Sequence, residues 1–255
     1  MNTFETKFLG ILNVTPDSFS DGGRFFREDL KTVALEMLED GASILDVGGE
    51  STGPGSSDVS LEEELRRVVP ALRVLRGMPV SIDTWKSEVA RAACEREAIM
   101  INDVTAGRGD ERIFDVAREF NVPIILMYSK NSSARTDRGM VEYDDVMKTV
   151  KDFLRARIDV ARSHGVSNII VDPGMGAFVS GDPRYSFEII ERISELRELG
   201  YPVLVGTSRK SFLGEDRFGM TLWTTIKLIG KVDWLRVHDV TENLSVCGEP
   251  ELSGR

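Results

Sequence analysis

The stretch "NIIVD" at residues 168–172 decides the fold. Three β-branched residues stand between two polar ones, and Pro173 and Gly174 follow at once. A run this short, apolar and bounded by turn residues reads as a parallel strand buried on both faces. Seven more runs have the same form: "FLGILN" at 8–13, "SILDV" at 43–47, "PVSID" at 79–83, "IMIND" at 99–103, "PIILM" at 123–127, "PVLVG" at 202–206 and "DWLRV" at 233–237. Between them lie amphipathic stretches with helical spacing. "LKTVALEMLEDG" ends on Gly41 and "YSFEIIERISELRELG" ends on Gly200, residues that commonly stop helices. "SLEEELRRVVPALRVLRG" opens with Ser60 and Glu63 at capping-box spacing. Eight strands alternating with helices in 255 residues predict an α/β chain with one domain over 1–255, a (β/α)8 TIM barrel. A doubly wound open sheet is the alternative. After the eighth run only "TENLSVCGEPELSGR" remains, and Gly248 and Pro250 limit it to about two helical turns. A shortened C-terminal helix is therefore expected, with a partner subunit covering the flank it leaves.

The formal net charge of −10 argues against general nucleic-acid affinity but leaves room for a local basic pocket. The two cysteines, Cys94 and Cys247, carry no pairing signal, which favours a reducing compartment and argues against a cysteine-rich metal site. "MNTFETKFLG" lacks the basic start and apolar core of a signal peptide, and no run is long enough to span a membrane. The expectation is a soluble cytoplasmic protein.

In a barrel, the C-terminal strand ends form the working face. Polar residues recur there: Asn13, Asp46, Asp83, Asn102 with Asp103, Asp172, then Ser208, Arg209 and Lys210, and finally Arg236 and His238. A single strand-end Asp is usually a helix cap or turn former. Five strand ends carrying Asp or Asn exceed what capping needs and converge on one pocket. Asp46, Asp83, Asn102 and Asp172 suit a flat ligand edge with several N–H groups. Lys210, Arg236 and His238 suit an anion or a ring carbonyl. "GTSRKS" stands before a helix, so its N–H groups are placed to hold a carboxylate or phosphate.

"GILNVTPDSFSDGG", "DVGGEST", "SIDT", "INDVTAG", "DPGMG", "GYPVLVGTSRKSFLG" and "LRVHDV" occur in an order that resembles the dihydropteroate synthase family from residue 9 to 240. The resemblance implies a transferase of folate biosynthesis. It would join 7,8-dihydropterin-6-ylmethyl diphosphate to 4-aminobenzoate, releasing diphosphate, usually with Mg2+ and as a homodimer. It assigns the pterin to Asp46, Asp83, Asn102, Asp172, Lys210 and Arg236. It assigns Mg2+ to Asn13, the diphosphate to Asn13, Arg236 and His238, and the aminobenzoate to Thr52, Ser208 and Phe178. Asp83, Asn13, Lys210, Arg236 and His238 would carry the catalysis. In the first loop, Asp17, Ser18 and Phe19 would form the tip of a lid, with Gly22 and Gly23 as its flexible part.

Three positions depart from the family pattern. Gly53 stands where an arginine usually seats the second loop, with Arg24 and Arg135 as candidates to replace it. Tyr128 stands where a histidine is usual. "MGAFVSGDP" at 175–183 resembles the sulfonamide-insensitive branch, where Phe178 would crowd the aminobenzoate pocket. Two other functions remain open on sequence: a pterin-dependent methyltransferase domain and a pterin-binding homologue without catalysis. The first would not need "NVTPDSFSDGG" or "TSRKSFLG", and the retained Asn13, Asp83, Lys210, Arg236 and His238 argue against the second.

Overall fold

The structure, a computed structural model, describes residues 5–14 and 24–248. Eight parallel strands alternate with helices: β1 Lys7–Asn13, α1 Arg24–Glu39, β2 Ile44–Gly48, α2 Leu61–Val74, β3 Val80–Asp83, α3 Ser87–Cys94, β4 Met100–Asp103, α4 Arg112–Phe120, β5 Ile124–Met127, α5 Val146–Ser163, β6 Ile169–Asp172, α6 Pro183–Glu191, β7 Leu204–Val205, α7 Arg217–Leu228, β8 Trp234–Val237 and α8 Val240–Ser245. The strand order β6-β5-β4-β3-β2-β1-β8-β7 runs round a barrel. Val171 closes the remaining seam by pairing with Val203 and donating its N–H to Pro202 O at 2.9 Å. The open-sheet alternative is thereby set aside. Among the described residues no helix is long and apolar enough to cross a membrane.

Local chemistry explains the element boundaries. Ser60 caps α2 by accepting from Glu63 N at 3.2 Å. The predicted capping box is half made, because the Glu63 carboxylate turns to Arg66 and Arg67 instead. Gly41 ends α1 at φ +104°, a conformation side chains resist. The single helix expected over 185–200 is instead α6 followed by a 3-10 turn, Ile193–Leu199. The break falls at Arg192, which leaves helical geometry (φ −98°, ψ 11°) and gathers Asp145, Glu188 and Glu195 around its guanidinium.

Side chains alternate along each strand, so the barrel separates two apolar sets. Phe8, Leu45, Ile82, Ile101 and Leu126 face the helices and join the main core. Leu9, Ile44, Met100, Ile125, Ile170 and Leu204 meet inside the barrel, with Trp234 against them, and plug its lower end. As expected, α8 is short. It holds its place through Asn243, fully buried, which accepts from Thr225 Oγ1 and donates to Asp239 O, both at 2.6 Å.

Candidate active site

The plug fixes the site by parity. Two residues beyond each plug residue the chain points into the same interior, one layer higher. That step leads from Leu9 to Ile11, Ile44 to Asp46, Met100 to Asn102, Ile125 to Met127, Ile170 to Asp172, Leu204 to Gly206 and Trp234 to Arg236. Ser81 to Asp83 completes the ring. An apolar layer thus carries a polar one, and above it opens a cavity of about 360 Å3.

Asp83, Asp172, Lys210, Arg236 and His238 line that cavity, with Asn13 and Thr52 at its side and Phe178 from the sixth loop. Val104 and Met127 add apolar wall next to Phe178. Asp46 and Asn102 do not reach the wall. Both are buried beneath it, where Asp46 Oδ2 accepts from Asn102 Nδ2 at 2.9 Å and from Arg236 Nε at 2.6 Å. They position Arg236, whose Nη2 reaches Asp83 Oδ2 at 2.7 Å. Asp46 Oδ1 is buried with no hydrogen-bond partner.

The fields in this cluster are strong because water is displaced. Burial pushes Asp172 up to about 6, with Lys210 pulling the other way. Burial also pushes Lys210 down to about 8, against the pull of Asp172. Asp83 is raised to about 7 by burial, opposed by Arg236 and reinforced by Asp46. Burial opposes the charge on Arg236, but Asp46 and Asp83 outweigh it and hold its pKa above the ordinary value. His238 is lowered to about 4 by burial and then by Arg236, so its ring is neutral near pH 7.

Ser208 corrects the sequence-based expectation. It does not line the cavity, and no regular helix starts beside it. The chain makes a 3-10 turn at Ser211–Leu213, and α7 begins at Arg217 under its own cap, Asp216. The N–H groups of Arg209 and Lys210 are occupied by Thr221 Oγ1 and Thr207 O. Ser208 Oγ accepts the His238 backbone N–H at 3.2 Å and stands 2.9 Å from His238 Nδ1. The hydroxyl anchors the ring through Nδ1 and leaves Nε2 as the nitrogen directed away from Ser208. Arg209 pairs with Asp239.

Sequence reasoning missed Glu50, which lines the cavity and is 9% exposed. Its only sequence signal was a carboxylate inside "GGEST", next to residues already singled out. Asp17, Ser18, Phe19, Gly22 and Gly23 lie outside the described residues, as does the side chain of Arg24. Among the described residues no group of three or more His, Cys, Asp or Glu side chains could cage a metal ion.

Residues 9–238 match the family described as pterin binding enzyme. A dihydropteroate synthase of Clostridium beijerinckii is 42% identical over 253 residues, covering 93% of this chain and 90% of the relative. A crystal structure of the Clostridium difficile dihydropteroate synthase, determined in the presence of pteroic acid, superposes with a TM-score of 0.85 at 40% identity over 96% of each chain. The Xanthomonas albilineans dihydropteroate synthase with 4-aminobenzoic acid gives 0.84 at 36% identity, covering 96% of this chain and 94% of the other.

Proposed function

We infer the function from kinship, since the chain belongs to the family of pterin binding enzymes. It condenses 7,8-dihydropterin-6-ylmethyl diphosphate with 4-aminobenzoate, giving 7,8-dihydropteroate and diphosphate in folate biosynthesis. The observation that carries this reading is one cavity lined by carboxylate acceptors and cationic or imidazole donors together. Asp83 and Asp172 face it together with Lys210, Arg236 and His238.

In the mechanism we propose, Asp172 takes the amino-pyrimidine edge of the pterin and Lys210 its ring carbonyl. The two stand as an opposed pair whose charges sustain each other. The apolar wall of Val104 and Met127 suits a flat ring. The methylene C–O bond then breaks with its electron pair leaving on diphosphate. Asp83 stabilises the cation left on the pterin. Arg236 and neutral His238 bind the departing oxygens. The amine of 4-aminobenzoate forms the new C–N bond and loses a proton to solvent. No protein nucleophile is required.

Mg2+ prefers few protein oxygens and several from water or phosphate. Asn13, a lone amide oxygen on the cavity wall, fits an ion that the diphosphate brings with it. When bound, that ion would neutralise charge on the leaving group. Thr52 and Phe178 mark the aminobenzoate end. Phe178 packs over Lys210 Nζ, 5.0 Å from the ring centroid, and narrows the pocket against larger sulfonamides. A variant lacking Ala177 and Phe178 should become more sensitive to sulfamethoxazole. Equal micromolar sensitivity in variant and wild type would end that reading.

We further propose a homodimer in the cytoplasm. Phe218, Trp223 and Ile226 leave an exposed apolar face on α7, beside the short α8. Light scattering at micromolar concentration should give twice the chain mass. The test of the whole reading is diphosphate release that depends on both Mg2+ and added 4-aminobenzoate. Tight pterin binding without turnover would instead indicate a non-catalytic homologue.

A further inference from the structure

The fifth loop runs from Tyr128 to Asp145, between β5 and α5. None of its residues lines the cavity. Yet it is bonded to both loops that do so at the aminobenzoate end.

Arg135 reaches the second loop. Its guanidinium donates to the Glu50 carboxylate, the Ser51 carbonyl, Ser56 Oγ at 2.8 Å and Asp58 Oδ1 at 2.9 Å. Glu50 is gripped from its other oxygen by Lys86 Nζ at 2.5 Å, and the same ammonium holds Glu64 at 2.5 Å. Thr136 N donates to Thr52 O at 3.4 Å. The next contacts reach the sixth loop. Thr136 Oγ1 donates to Ala177 O at 2.7 Å, Lys130 N to Phe178 O at 2.8 Å and Tyr143 OH to Val179 O at 2.6 Å. Three consecutive carbonyls around Phe178 are therefore held by one neighbouring loop. Val141 N donates to Ser180 Oγ at 3.0 Å, and Gly181 N to Gly139 O at 3.0 Å.

We propose that the fifth loop is a strap and that Arg135 and Thr136 are its positioning residues. It couples the second loop to the sixth, so that Thr52 and Phe178 are set as one unit. Arg135 acts here by position, with four of its five N–H donors used by the second loop. Thr136 is the joint, with its amide on one loop and its hydroxyl on the other. The substrate consequence rests on reading this end of the cavity as the aminobenzoate site; the coupling itself does not.

The test uses the full chain with Arg135→Gln, Thr136→Val and the double variant. In ligand-free protein, hydrogen exchange should speed up at residues 50–58 and at 176–181 in each single variant. In turnover, the KM for 4-aminobenzoate should rise about tenfold in each. The KM for the pterin substrate should stay within about twofold. The double variant should fall short of the product of the singles, because both cut the same strap. Arg135→Lys should recover part of the effect, having one of the arginine's contacts without its fork. Exchange that rises only at 50–58 in Arg135→Gln, and only at 176–181 in Thr136→Val, would overturn the coupling. If Arg135→Gln fails to fold, Thr136→Val read at 50–58 decides alone. Coupled exchange with no aminobenzoate-dependent turnover in the wild type would uphold the strap and overturn the reading of the site.

Discussion

The floor of the cavity and its rim are built on different principles. Floor groups such as Asp83, Asp172 and Arg236 sit on strands, and the registry of a closed barrel fixes them. Rim groups such as Thr52 and Phe178 sit on loops and are held by other loops. Strand-end motifs supply the floor, while Gly53 and Phe178, which depart from the family pattern, lie on the rim loops. A strand-borne charge has few compensating neighbours. A loop can be re-seated by a new partner, as Arg135 does for a second loop that carries Gly53. The floor should therefore govern whether the reaction occurs, and the rim which aniline is accepted.

The most damaging single change expected is on the floor. Asp172→Asn keeps the shape but exchanges a carboxylate for a group that also donates. We expect kcat/KM to fall about a thousandfold, with little change in thermal midpoint. Steady-state kinetics beside a melting curve checks this, and a loss under tenfold would erase the contrast between floor and rim. Asp46→Asn acts one layer down, through Arg236. A loss of about tenfold to a hundredfold is expected, from weakening one charged hydrogen bond to a guanidinium that stays in place. Retained pterin binding with reduced turnover would separate it from Asp172→Asn.

The pH profile comes next. Asp172, raised to about 6, is protonated below that value and loses its carboxylate, while Lys210, lowered to about 8, loses its charge above it. Asp83, raised to about 7, must also be ionised to stabilise the cation, so kcat/KM for the pterin substrate should peak between about pH 7 and 8, fall about tenfold per pH unit above, and fall more steeply below about pH 6, where both carboxylates are protonated. His238, lowered to about 4, stays neutral across this window and adds no limb. A profile flat from pH 5 to 9 would mean that these three groups do not act on the pterin as charges. The smallest effect belongs to the rim. Tyr143→Phe removes the hydroxyl that holds Val179 O and meets Tyr128 OH at 3.0 Å. We expect a destabilisation of about 1 kcal/mol and a KM for 4-aminobenzoate raised about threefold, with the pterin KM unchanged. Equal rises in both would blur the division between floor and rim.

Eight short apolar runs, most of them with polar residues at or just after their ends, were enough to read the barrel, its working face and most of the floor. That legibility is physical. A strand buried on both faces has to be apolar along its length, so polar residues collect at its end. Asp83, Asp172, Lys210, Arg236 and His238 were visible for this reason. The sequence also marked the second and sixth loops as unusual, through Gly53 and through "MGAFVSGDP".

Other assignments depended on depth and on partners distant in sequence. Asp46 and Asn102 share the parity of Asp172, yet Arg236 lies over them, and only packing decided that they support the wall instead of forming it. Ser208 stood beside Lys210 in the chain but turned to His238, thirty positions away, where it anchors the ring. Glu50 and Arg135 are separated by 85 positions and meet in one ion pair. Local sequence fixes periodicity, because side-chain alternation is a property of neighbouring residues. Which hydrogen-bonding groups are left facing the cavity is a property of everything else that competes for them, and that competition exists only in the folded barrel.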